Sequence, residues 1–165
     1  MKHYIGIDPG QRGFLTVVSP EGECVNSLAI EDSTEQDIVR FLSGWGEAGA
    51  VAAMEDVHSM PGQGVATTFA FGRNVGFLIG VLVALQIPYT LVSPQVWQRE
   101  VWIASDKVYT TKDGKKKVQP KATSINAATR LFPTVDLRKS ERSKTPHDGK
   151  CDSLLIATYA KRKNL

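Results

Sequence analysis

Three short apolar runs open the chain, rich in β-branched and aromatic residues and separated by turn signals. They predict strands over residues 3–8, 13–19 and 24–30, with Pro9-Gly10 and Pro20-Glu21-Gly22 at the turns. The period then changes. Ile38, Phe41, Leu42 and Trp45 recur at helical spacing, after Ser33 and Gln36 placed as a capping box. A strand over 50–55, a Gly/Pro-rich loop through Ser59-Met60-Pro61-Gly62-Gln63-Gly64 and a long helix to about Gln86 follow. Next come a strand over 88–93 and a short helix from Pro94 through Trp97 and Val101. Residues 104–119 read as a basic loop or loose hairpin with Asp113-Gly114 at its tip, and Pro120 opens a helix through Leu131. Arg138 to Lys144 reads as basic and mobile, and Thr145 (N-cap) with Pro146 starts the last helix. Leading strands and later alternation with helices predict an α/β fold around a mixed sheet.

The long helix has its own message. From Phe69 to Leu85 only Arg73 and Asn74 are clearly polar, so the helix is expected to be covered on two sides. Gly72, Gly76, Gly80 and Ala84 recur every four residues and form a smooth ridge. Glycine costs about 1 kcal/mol relative to alanine in a helix, so close packing should compensate. Either a second subunit or the rest of the chain supplies that cover. The apolar run Val75–Ile87 is too short to span a bilayer, and no membrane partner is expected.

At 165 residues the chain is expected to form one domain. Its net charge of +3 hides an asymmetry: residues 1–98 carry 4 basic and 10 acidic side chains, residues 99–150 carry 13 basic and 6 acidic. A basic C-terminal half points to a polyanion partner, with a solvated basic loop as the plainer reading. Cys24 and Cys151 lie far apart without a CxxC, which disfavours a zinc site or disulfide framework and suits reduced thiols. The first strand begins within three residues of Met1, leaving no room for a targeting segment, so a cytoplasmic location is expected.

Three acids stand where chemistry is usually placed. Asp8 ends the first strand, Glu55 ends the fourth, and Asp152 lies in the last helix four residues after Asp148, on the face shared with Leu155, Ile156 and Tyr159. Buried carboxylates are costly unless a cation meets them. Asp8, Glu55 and Asp152, with Asp148, make an all-oxygen set suited to Mg²⁺ or Mn²⁺. Two such ions about 4 Å apart cleave phosphodiesters. Acids for metal within a basic chain for phosphate indicate a nuclease.

At these residues the sequence resembles the RuvC family of Holliday-junction resolvases, within the RNase H-like superfamily. The matching pieces are Gly6-Ile7-Asp8-Pro9-Gly10, Met54-Glu55-Asp56 with the Phe71-Gly72…Gly76 helix, Ser93-Pro94…Trp97, and His147-Asp148-Gly149…Asp152-Ser153-Leu154-Leu155-Ile156-Ala157, in family order. Segments such as Lys121 to Ile125 and Leu131-Phe132-Pro133 look closest to compact phage-type members. The resemblance implies an RNase H-like fold with a five-stranded mixed sheet and helices on both faces. It implies a homodimer that makes paired nicks in a four-way DNA junction, with two Mg²⁺ ions per site (Mn²⁺ substituting) held by Asp8, Glu55 and Asp152. The family's fourth ligand commonly lies three residues before the last aspartate, where this chain has Gly149. Asp148 is the expected substitute, with His147 as a possible proton carrier or merely a polar helix start.

Other candidates face DNA: His58, Met60 and Gln63 after Glu55, Arg73 on the long helix, and Lys112, Lys115, Lys116 and Lys117 near Tyr109. Family members use an aromatic wedge near the loop after the second acid; this chain has none before Phe69. Trp97 and Trp102 read as core more readily than as stacking platforms. Sugar-kinase and actin-like ATPases share this kind of sheet but need a second lobe that 165 residues cannot supply. A nuclease for RNA–DNA hybrids or flaps and a non-cleaving junction scaffold remain the competing readings.

Overall fold

The structure, a computed structural model, describes residues 2–58 and 64–165; Met60 and Gln63 lie outside them. Strands β1 (Tyr4–Ile7), β2 (Phe14–Val18) and β3 (Cys24–Ala29) form an antiparallel meander. Beyond β1 the sheet continues in parallel with β4 (Val51–Glu55) and β5 (Tyr89–Val92), giving the order β3-β2-β1-β4-β5. The helices are α1 (Glu35–Glu47), α2 (Val65–Ala84), α3 (Pro94–Val101), α4 (Pro120–Leu131) and α5 (Asp148–Lys163). Two cores result. Ile5, Ile7, Ala52 and Met54 face α1 and α2, whereas Tyr4, Val51 and Ala53 face α3, α4 and α5.

This alternation decides where the site falls. Side chains two apart on a strand share a face, so Asp8 continues the face of Tyr4 and Gly6, and Glu55 that of Val51 and Ala53. Parallel register pairs Tyr4 with Val51 and Ile7 with Met54. One step further along both strands, Asp8 and Glu55 are neighbours on the face that carries α5.

Helix α5 is held unusually close to β1. A Cβ on Gly6 would lie 1.9 Å from the Ser153 carbonyl oxygen and 2.3 Å from the Ala157 nitrogen, both backbone atoms that cannot step aside. Thr16 and Ser153 share a buried 2.6 Å hydrogen bond that fixes the same contact from β2. Gly6→Ala is therefore expected to exceed the roughly 1–3 kcal/mol typical of overpacking, read as a large fall in Tm or loss of soluble protein.

Several local expectations shift. The α1 capping box uses Thr34 and Asp37, one residue later than Ser33 and Gln36, because the Asp37 carboxylate accepts from the Thr34 backbone while Thr34 Oγ1 accepts from the Asp37 N–H. Helix α5 starts with His147 as N-cap, not Thr145, because Pro146 is paired in a bridge with Arg138. The Arg138–Lys144 stretch is tied down: Arg138 grips Asp136, and Lys139 pairs with Glu31 and Asp32. Residues 109–118 form a regular hairpin, β6 (Tyr109–Lys112) and β7 (Lys115–Val118), turning at Asp113 and Gly114 with φ of 52° and 69°.

Helix α2 differs most from expectation. At 20 residues it is long and apolar enough, by length and composition, to cross a bilayer; Arg73, Asn74 and the glycines interrupt the apolar run without ending the helix. Only Leu78, Val81 and Leu82 are buried, so among the described residues its own chain covers one side. Asn74 Nδ2 donates to the Pro9 carbonyl at 2.7 Å and ties α2 to the turn after Asp8.

Candidate active site

The β1–β2 turn begins by fixing Asp8. Its Oδ1 accepts the Gly10 N–H at 3.0 Å, and its backbone N–H donates to the Phe14 carbonyl at 3.0 Å. Beside it, Glu55 Oε1 accepts from the indole N–H of fully buried Trp97 at 3.0 Å. Trp97 in turn meets Trp102 edge-on with centroids 6.0 Å apart. Both tryptophans are packed in the domain, and Trp97 also aims a carboxylate. The sequence offered no signal for that second role.

Above this pair, α5 brings Asp152. Its Oδ1 is buried without a hydrogen-bond partner among the described residues, while the Ser124 hydroxyl of α4 stabilises the charged form. Burial first, then the charges of Asp8, Glu55 and Asp148, push Asp152 up to about 8. Burial and the charge of Asp8 take Glu55 up to about 7. Asp8 rises to about 6, chiefly through burial, with Asp148 adding to it. The acids that lie 47 and 97 residues apart along the chain thus feel one another as like charges in one poorly solvated place.

Asp148 is different. Burial raises its proton affinity, but Lys121 Nζ at 2.6 Å and the nearby His147 together hold it below its ordinary value. Lys121, on the first turn of α4, is an exposed cation at the edge of the acidic cluster that sequence reasoning did not single out. Gly149 lies directly against Asp8: a Cβ there would sit 2.5 Å from the Arg12 carbonyl oxygen and 3.1 Å from Asp8 Oδ2. A side-chain ligand at that position has no room, so any fourth carboxylate must come from elsewhere on the helix. His147 packs its ring on Phe14 at 5.0 Å, with both ring nitrogens buried and unpartnered and Nδ1 4.0 Å from Asp148. Burial lowers its proton affinity.

The donor chemistry fits a hard divalent cation: all-oxygen, anionic, and with an orphaned buried oxygen on Asp152. As the side chains lie, no three His, Cys, Asp or Glu among the described residues are gathered tightly enough to hold an ion. Like charges at close range repel, and a bound cation would neutralise them.

Between α2 and the β1–β2 turn lies a groove of about 710 Å³, lined by Gln11, Ile30, Glu31, Val57, His58, Ala66, Thr67, Ala70, Phe71, Arg73 and Asn74, with none of the four acids in its wall. It brings His58 and Arg73 together next to the Asp8 turn. Arg73 is exposed and makes no ion pair with a described carboxylate. Phe69 projects from the same end of α2, 74% exposed.

With this geometry in place, the solved structures decide the architecture. RuvC of T. thermophilus in complex with a Holliday-junction substrate matches with a TM-score of 0.56 and 13% identity, over 99% of this chain and 96% of that one. A second Thermus thermophilus RuvC structure matches with a TM-score of 0.56 and 15% identity, over 98% and 96%. The chain has the RNase H-like fold of RuvC. No family sequence model and no curated protein sequence matches it. The likeness lies in the fold, at 13–15% identity. Trp97, Ser124 and Lys121, which orient or neutralise those acids, come from α3 and α4.

Trp97→Phe keeps most of the buried ring and removes the hydrogen bond to Glu55. Loss of such an orienting partner typically costs about 10–100-fold. Metal-dependent activity should fall by about that factor while far-UV circular dichroism stays unchanged.

Proposed function

We propose that this chain is a metal-dependent endonuclease, acting as one nuclease domain in the cytoplasm, that resolves four-way DNA junctions by paired phosphodiester hydrolysis. What supports the reading is the charge coupling among Asp8, Glu55 and Asp152 of β1, β4 and α5, each with raised proton affinity, on a RuvC-type fold. These three carboxylates, with Asp148, would hold Mg²⁺ or Mn²⁺, two ions per site. When bound, such ions supply an activated water and stabilise the departing oxygen of a phosphodiester.

The protein's own residues set the stage for that reaction. Trp97 fixes the orientation of Glu55, and the Gly10 N–H fixes Asp8. Lys121, released from Asp148, offers an ammonium to the incoming phosphate. Burial of the acids keeps bulk water from screening them. His58 and Arg73 face the groove along which the DNA would enter; Gln63 belongs to the adjoining segment outside the described residues. His147, its proton affinity lowered by burial, would serve as a proton carrier beside Asp148.

Two symmetric nicks call for two copies. The open side of α2 supplies a surface for the second: a Cβ at Gly72, Gly76 or Gly80 meets nothing within 4 Å, and Val83 on the same helix is exposed. Gly76→Leu should leave the monomer intact yet block close helix approach. Analytical ultracentrifugation should then report a monomer where the parent protein is a dimer.

The deciding experiment offers a labelled four-way junction, linear duplex, flap and RNA–DNA hybrid to the protein with Mg²⁺ or EDTA. Junction cleavage with Mg²⁺ alone supports the proposal. Preferential hybrid or flap cleavage rejects it in favour of another RNase H-like nuclease, and binding without cleavage marks a scaffold.

A further inference from the structure

The β6–β7 hairpin stands outside the main sheet, and its strands separate two chemistries. Opposite residues of an antiparallel pair share a face. Lys112 pairs with Lys115 and Thr110 with Lys117, so one face carries three lysines and a threonine. The other carries Tyr109, Thr111 and Lys116, with the Lys116 ammonium 5.2 Å from the Tyr109 ring centroid. All four lysines are exposed, and none lies within ion-pair distance of a described carboxylate. Elsewhere in the chain the cations Arg130, Arg138, Lys139 and Lys163 are each matched to an acid. Lysines crowded on one face repel one another, an arrangement that makes sense toward a polyanion.

The root of the hairpin is rigid. Asp106, buried just before β6, takes a two-pronged contact from Arg130 at 2.8 and 2.7 Å, and Asn126 donates to its carbonyl at 3.0 Å. Val108 N–H is held by Thr123 Oγ1 at 3.1 Å, and Gln119 N–H closes the base onto the Val108 carbonyl at 2.8 Å. Directly after β7, α4 begins, and its second residue is Lys121, already in contact with Asp148. The arm is thus anchored beside the acidic cluster and extends from it by about 14 Å, four residues of strand.

We infer that the Lys112, Lys115 and Lys117 face grips the phosphate backbone of the double-stranded arm leaving the cleavage site, independently of base sequence. The inference rests on the nuclease reading and adds to it a second, sequence-blind DNA contact. Lysines act on phosphates as point charges and carry no base readout. Binding of single strands uses aromatic platforms; this face has none, since Tyr109 lies on the other side under Lys116.

The test measures affinity for a four-way junction and a plain linear duplex in EDTA by fluorescence anisotropy from 50 to 200 mM salt, for the parent protein, Lys112→Ala/Lys115→Ala/Lys117→Ala and Lys116→Ala. Each phosphate contact contributes about 0.9 to the slope of log K against log salt. The triple variant should flatten that slope by about 2–3 on both DNAs and weaken both by the same factor. Lys116→Ala should change the slope by less than about 1. Unchanged slopes in the triple variant overturn the inference while leaving the nuclease reading intact. Loss confined to the junction overturns it too, because the hairpin would then be reading the crossover. A parent protein that binds neither DNA overturns both.

Discussion

Asp152→Asn is expected to lower junction cleavage by on the order of 10³-fold or more, while junction affinity in EDTA is retained and stability in EDTA rises. The pairing of those outcomes is specific to the site. Asp152 is the acid most burdened by its surroundings, its proton affinity pushed up to about 8 and one buried oxygen without a partner among the described residues. Removing its charge relieves repulsion with Asp8 and Glu55, so the variant gains stability as it loses chemistry. Asp8→Asn and Glu55→Gln should behave alike. Asp148→Asn should cost less, about tenfold, because that carboxylate is already engaged by Lys121. Quenched-flow cleavage and thermal melting on the same preparations check both halves. A variant that cleaves normally removes its residue from the set, and a catalytic loss without gain in stability points to an acid that is not crowded.

The second large effect is a pH dependence opposite in sign to ordinary acid denaturation. A carboxylate whose folded pKa exceeds its unfolded value binds more protons folded than unfolded between those two values, so stability falls as pH rises across that interval. For Asp8, Glu55 and Asp152 the interval runs from the ordinary values of 3.8 and 4.5 up to about 8. Each unit of such a difference is worth about 1.4 kcal/mol per group, so stability in EDTA is expected to fall clearly between pH 5 and pH 8.5, read as a lower Tm at the higher pH. Added Mg²⁺ should restore most of the loss at pH 8.5 and do little at pH 5, where the site is protonated. A Tm that is flat with pH in EDTA, or a Mg²⁺ effect equal at both pH values, would contradict the crowding of these acids. In Asp152→Asn the fall should be visibly smaller.

How much of this was legible in the sequence varies with the range of the interaction. The strands at 4–7, 14–18 and 51–55 were readable because residue alternation and turn chemistry are local. The same holds for the hairpin tip, where Asp113-Gly114 demands positive φ at both positions. The three main acids could be picked out because a charged residue ending an apolar strand, or interrupting an apolar helix face, violates the pattern around it. The β1–β4 register then sets Asp8 beside Glu55, which no local rule contains.

The misses share a cause. Thr34 displaced Ser33 as the cap because Asp37, not Gln36, reaches back to it. The basic stretch after Asp136 looked free because its partners, Glu31 and Asp32, lie more than a hundred residues earlier in the chain. Lys121 looked like an ordinary surface lysine in a helix start until α4 and α5 were packed together. For helix α2 the apolar composition asked for cover on two sides, by a second subunit or by the rest of the chain; the described residues cover one side.

The account stands on divalent ions being held by acids from β1, β4 and α5. Crystals soaked in Mn²⁺ and measured at an energy where manganese scatters anomalously test that most directly. Difference peaks are expected between Asp8, Glu55 and Asp152, with carboxylate oxygens closing to coordination distance, about 2.1–2.2 Å. Absence of any peak there, at a Mn²⁺ concentration that supports junction cleavage, would contradict it.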